Sequence, residues 1–167
     1  MFGISVSSIR SRIVFISAII LILGYFYFPA VFKWWYEDDT FQYFYVSTIQ
    51  SPIDIFTNAE TMRKFSRALV PMQILSYWVD YKLFGYSPVA AYFHSLLSLL
   101  FTLGILFNIV ERLTKEKLIS FAVLIIWLLL PSTLVVTQFI ATRHYLEGLL
   151  FALAMINFLI KYYEKEE

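Results

Sequence analysis

The sequence contains no cysteine. That excludes a disulfide framework, a zinc–thiolate site and a thiol nucleophile, and it leaves the redox compartment open. Charge is scarce as well: Asp, Glu, Lys and Arg make up 15% of the residues, against about 25% in ordinary soluble domains. The formal net charge is only +1 and no basic tract stands out, so nucleic acid is not a partner class. A Gly-rich phosphate loop, an HExxH zinc motif and a Gly-x-Ser-x-Gly elbow are all absent. Soluble nucleotide, zinc-protease and serine-hydrolase chemistry therefore have no visible basis.

What is present is apolar mass. Hydrophobic residues make up 60% of the chain, against about 45–50% in soluble domains, and 20% of the residues are aromatic. A membrane span needs about 20 apolar residues, so the length accommodates about four spans and one sizeable loop. The spacing predicts spans over 13–32, 89–110, 118–136 and 146–160. Arg10 and Arg12 precede the first, which reads as a retained signal anchor. By the positive-inside rule these arginines put the N-terminus in the cytoplasm. The turn carrying Arg112, Lys115 and Lys117 and the tail carrying Lys161 and Lys165 then fall on the same side. The expectation is an all-α integral protein of a cytoplasmic-type membrane: one domain over 1–167, multi-pass, both termini cytoplasmic.

Segment 33–87 is then a long outer loop, and it holds Trp34, Trp35 and Trp78 together with half of the tyrosines. Trp and Tyr favour the headgroup level. Phe41, Phe44, Tyr45, Thr48 and Ile49 recur with the spacing of an amphipathic helix, ended by Pro52. Leu69–Phe84 is apolar but short and carries Asp80 and Lys82, which favours an interfacial or re-entrant helix over a fifth span. Ala91, Ser95, Ser98 and Thr102 form a small-residue stripe on the second span, and Gly148 and Ala152 do so on the fourth. Both suit close helix packing, within the chain or in an oligomer.

Chemistry concentrates at the outer ends of the spans. Glu37, Asp38 and Asp39 follow the first span directly. Adjacent acids repel, so they read either as a general base or metal-ligating cluster or as a solvated start to the next helix. Arg63, Lys64 and Arg67 run against the positive-inside trend and suit phosphate or anionic headgroups. Arg143 and His144, with Glu147 one turn on, share the outer side; the alternative for Arg143 is snorkelling to the interface. His94 suits a structural hydrogen bond, Asp80 an ion pair with a nearby cation, and Asn108 and Asn157 bonds between helices.

The order of these features resembles the N-terminal part of the polytopic glycosyltransferases of the C superfamily (the GT-C fold), particularly relatives of the protein O-mannosyltransferases. That plan opens its first outer loop with an acidic pair, here Asp38 and Asp39. It continues with a run matched by Leu75, Ser76, Tyr77, Asp80, Tyr81, Leu83, Phe84, Gly85, Pro88, Tyr92 and His94. The next outer loop of the family is matched by Pro131 and Arg143 at the same separation, while Leu130, Val135 and Tyr145 stand where the family has His, Glu and Asp. The resemblance covers essentially the whole chain and is most specific over 80–88. It implies a polyprenyl-phosphate sugar donor used on the outer face, with Asp38 or Asp39 as the catalytic carboxylate. It further implies Arg143 and Arg67 as phosphate contacts, Glu37 and His144 beside the substrate, and a divalent metal ion, if any, on Asp38 and Asp39. Membrane lipids are expected partners, and the low span count points to a homo-oligomer or a second membrane subunit. The alternative is a non-catalytic scaffold or lipid-binding protein of the same descent.

Overall fold

A computed structural model describes residues 6–36, 38–65 and 70–165, and among them every regular element is helical. The first long helix, α1 (Val6–Ile22), continues through a widened π turn at Leu23–Tyr27 and a tightened 3-10 stretch at Phe28–Phe32. The change of winding falls where Pro29 has no N–H to return to Tyr25. Helix α6 (Pro88–Thr114) is capped by Ser87, whose Oγ accepts from the Ala90 amide at 3.3 Å, and starts on Pro88, which loses nothing at the first turn. Helix α9 (Arg143–Tyr163) extends a short 3-10 turn at Ile140–Thr142. Three stretches are long and apolar enough to cross a membrane: Ile9–Phe32, Pro88–Thr114 and Ile140–Tyr163. They match three of the expected spans to within a few residues at their ends, apart from the earlier start of the last.

The expected span over 118–136 is not one straight helix. It is α7 (Lys117–Leu129) and α8 (Pro131–Gln138), bent by 65°. Leu130, the residue before proline, is extended at φ −67° and ψ 131°, as the Pro131 ring requires. Thr133 Oγ1 donates to the Trp127 carbonyl at 2.8 Å, taking up a helix end the proline leaves open.

Helix directions follow from the contacts. At one end Arg143 of α9 meets Ala91 of α6; at the other, Arg112 of α6 pairs with Glu164 just beyond α9. Helices α6 and α9 therefore run parallel. In the same way Phe121 stacks on Phe15 while the Tyr27 hydroxyl donates to the Leu128 carbonyl at 2.6 Å, so α7 runs parallel to α1. The core between these helices is Tyr27, Val31, Leu96, Leu99, Leu103, Leu124, Leu128 and Leu146. The stripe Ala91, Ser95, Ser98 and Thr102 is buried inside the chain, which gives it to intrachain packing rather than to an oligomer face. Gly148 and Ala152 stay exposed.

Segment 33–87 builds a second core. Helices α2 (Asp39–Ser47), α3 (Asp54–Thr57), α4 (Ala59–Phe65) and α5 (Pro71–Phe84) pack around Tyr43, Val46, Ile55, Phe65, Ile74 and Tyr77, against Ala91, Tyr92 and Ile140. Helix α5 buries Gln73, Ile74, Tyr77 and Asp80, a single face at helical spacing, and ends at Gly85 with φ +64°. At 14 residues it rises about 21 Å, too short to cross a bilayer. On α2 the buried residues are Asp39, Tyr43 and Val46, followed by Ile49 just beyond its end, whereas Phe41, Phe44 and the capping Thr48 are exposed. The apolar periodicity read from the sequence therefore merged two faces: one turned to α5 and one turned outward.

Candidate functional site

Arg143 opens α9 and is completely buried, turned back into the junction of α5 and α6. A buried guanidinium must be paired and hydrogen-bonded to be tolerated. Here Nη1 donates to Asp80 Oδ2 at 2.6 Å and more weakly to the Ala91 carbonyl at 3.4 Å, and Nη2 donates to Ser76 Oγ at 2.8 Å. Nε lies 3.1 Å from Glu147 Oε1, one turn along α9, and the guanidinium stacks 4.6 Å from the centre of the Tyr77 ring.

Each partner is held in turn. Asp80 Oδ2 accepts from the Tyr43 hydroxyl at 3.0 Å, and Oδ1 faces His94 Nδ1 at 2.7 Å. Burial alone would push the Asp80 carboxyl up, but the hydrogen bond from His94 and the charge of Arg143 outweigh it and hold it below the ordinary carboxylate range. Ser76 passes the interaction on, donating to Glu147 Oε1 at 2.6 Å while accepting from Arg143. His94 Nε2 is 3.5 Å from the same Glu147 oxygen. Burial raises the Tyr43 and Tyr77 hydroxyls well above their usual range, so both remain neutral donors.

Asp39 anchors an adjoining layer. It is 1% exposed, and its oxygens accept from the Tyr36 amide at 3.2 Å and the Ala141 amide at 3.0 Å. Burial pushes its carboxyl up, only partly offset by these two bonds. The Tyr77 hydroxyl donates to the Ile140 carbonyl, and Gln73 Nε2 donates to the Ala141 carbonyl at 2.8 Å. The turn that launches Arg143 is thus tied to both α2 and α5.

The acidic pair is divided. Asp39 points inward onto backbone amides, whereas Asp38 is exposed. One exposed carboxylate and one buried on two backbone N–H donors do not fit a shared divalent cation, and no group of three ligating side chains occurs among the described residues. Arg143 is likewise too enclosed to reach a phosphate. His144 is half-buried and lines a cavity with Ser76, His94 and Glu147. Arg63 and Lys64 are exposed, and Lys64 pairs with Glu60 at 2.5 Å. Glu37 and Arg67 lie outside the described residues. The expected pairing of Asp80 and the hydrogen bond of His94 are both present. Ser76 stood only in the run that carries the resemblance, and Tyr43 and Gln73 had no mark of their own; the signal for Gln73 was Asp80, seven residues on along one helical face.

Fold and site together define a helical membrane protein with a buried ion cluster where its long helices meet the 33–87 layer. In comparison with known proteins, no family model, no curated protein and no solved structure matches the chain.

Proposed function

We propose that this chain is the amino-terminal membrane module of a GT-C-type glycosyltransferase, serving transfer from a polyprenyl-phosphate sugar on the outer face. The observation that carries this reading is convergence. Asp39, the run containing Ser76, Tyr77, Asp80 and His94, and Arg143 carry the resemblance, and though far apart in sequence they meet in one assembly. In this reading Asp39 and Arg143 are positioning residues that fix the outer layer. The exposed Asp38 is the carboxylate left to act on substrate.

The module crosses the membrane four times, with α7 and α8 together as the third crossing. Support comes from the parallel course of α6 and α9, which obliges the chain between them to return. Arg10, Arg12, Arg112, Lys115 and Lys161 then share the cytoplasmic side, and Asp38 and Arg143 the outer side. The natural lack of cysteine makes this simple to test. Asp38→Cys is expected to react with a membrane-impermeant maleimide from outside, and Lys165→Cys only after the membrane is opened. The reverse pattern sinks the topology.

For the activity, native mass spectrometry of the purified chain is expected to retain an added polyprenyl phosphate over bulk phospholipid. Reconstituted transfer is expected to vanish in Asp38→Asn at unchanged folded yield. Retention of ordinary phospholipids alone would instead favour a second reading, a non-catalytic lipid-binding scaffold. That reading draws on the enclosure of Asp39 and Arg143, and it assigns the exposed Gly148 and Ala152 to a homo-oligomer or a second subunit.

A further inference from the structure

A cavity of about 350 Å³ lies between α5, α6 and α9, within the range of about 300–1,000 Å³ typical of small-molecule sites. Most of its wall is apolar, with Met72, Val79 and Phe151 exposed along it. Gln73, Ser98 and His144 add polar groups to the wall, and Ser76, His94 and Glu147 meet at its charged end. Glu147 Oε1 already receives the Ser76 hydroxyl and faces Arg143 and His94, but Oε2 has no hydrogen-bond partner among the described residues.

The charge of this polar end selects its ligand. One guanidinium faces two carboxylates, so the cluster is neutral when His94 is protonated and negative when it is not. Arg143 does not line the cavity, and neither does any Lys or other Arg among the described residues. A phosphate would meet the Glu147 carboxylate with no Lys or Arg among the described residues lining the cavity to offset it. An ammonium carries three donors and loses much hydration on entering an apolar wall, whereas Oε2 is the one Glu147 oxygen left without a partner among the described residues. A hydroxyl needs that one acceptor and no more.

We propose that this cavity binds a single-chain amphiphile by its hydroxyl head, which donates to Glu147 Oε2 while the chain lies along Met72, Val79 and Phe151. The site goes beyond the transferase reading and does not depend on it, since a phosphate-bearing donor must sit elsewhere.

The test uses the full chain in lipid nanodiscs at neutral pH and three photoreactive C16 diazirine probes that end in hydroxyl, amine or phosphate. The hydroxyl probe is expected to label 72–79 and 147–151 at least about tenfold more than the phosphate probe, the carboxylate repelling the latter. Gly148 offers a blocking variant, because a Cβ there meets nothing within 4 Å. Gly148 lines the cavity, so Gly148→Leu is expected to fill part of it and to cut the labelling about tenfold. Equal or stronger labelling of these segments by the phosphate or amine probe overturns the proposal, as does labelling indifferent to Gly148→Leu. The three-probe comparison is made on unaltered protein, so it stands whether or not that variant folds. A polyprenyl phosphate retained elsewhere on the chain bears only on the transferase reading.

Discussion

Replacing Arg143 with Gln removes the guanidinium from between Asp80 and Glu147 and leaves one buried and one partly buried carboxylate about a shared gap. At an effective dielectric near 20, a pair of unit charges about 4 Å apart is worth about 4 kcal/mol. Breaking a buried pair from one side typically costs about 3–5 kcal/mol, because the remaining charge is uncompensated. Arg143→Gln is therefore expected to destabilise by about 3–5 kcal/mol. Asp80→Asn leaves Arg143 still balanced by Glu147 and is expected to cost less, about 1.5–3 kcal/mol for lost charged hydrogen bonds. The double variant should cost less than the sum by about 2 kcal/mol, the signature of direct coupling. Trp78, whose Nε1 donates to the Ile49 carbonyl at 3.0 Å, and Trp35, 4.5 Å from the Tyr43 ring, report on this layer by fluorescence. Denaturant titration in mild detergent supplies the free energies. The pH dependence follows from the depressed Asp80 carboxyl: its stabilisation is complete above the unfolded carboxylate value, about 3.9, and is lost as pH falls through the lower folded value. Arg143→Gln should shrink that acid loss. A variant within about 0.5 kcal/mol of the parent, or a cycle additive to within that amount, would refute a buried electrostatic cluster at Arg143.

Asp39 gives the opposite sign. Its carboxyl is raised by burial, so its contribution is greatest below the unfolded value and declines as pH rises through the folded one. Asp39→Asn keeps an acceptor without the charge and should compare better with the parent at pH 7 than at pH 4, whereas Asp39→Ala strands two amides at about 1–3 kcal/mol each. Melting curves of both variants across that range are the check. Tyr27→Phe keeps the ring and deletes the bond to the Leu128 carbonyl, for an expected loss of about 0.5–1.5 kcal/mol by the same titration. Thr133→Val removes the tie across the Pro131 bend at a similar cost, and hydrogen exchange should quicken first at the α7–α8 junction.

The long helices were legible because a bilayer demands unbroken apolar runs, and composition alone displays them. The bend at Pro131 was legible in principle, since the residue before proline avoids helical geometry, but continuous apolarity through 118–136 masked it. The face of α2 was misjudged because Phe41 and Phe44 are as apolar as Tyr43 and Val46; periodicity cannot say which of two apolar stripes meets α5. The site was hardest. Asp80 and Arg143 stand 63 positions apart, and their meeting depends on α6 and α9 running parallel, which no local pattern encodes. Nor does the sequence separate Asp38 from Asp39. One helical step turns the second onto the Tyr36 and Ala141 amides and leaves the first outside.

The parallel pair also fixes where the ion cluster sits. From Ala91 to Arg112 and from Arg143 to Glu164 the rise is about 31 Å at 1.5 Å per residue, close to the hydrocarbon thickness of about 30 Å. Between those pegs α9 is free of charge after Glu147 until Lys161, and α6 carries none before Glu111 apart from the titratable His94. In the proposed four-crossing arrangement both ion pairs would fall at the edges of the hydrocarbon, where they cost less than in mid-bilayer, and they hold the helices in axial register. Sliding α9 by one turn would move it about 5.4 Å and break Arg143 from Asp80 together with Arg112 from Glu164. The cluster therefore sets the register of the long helices and so the height at which Glu147 faces its cavity. A ligand held by Glu147 as proposed would depend on Arg143 without Arg143 touching it.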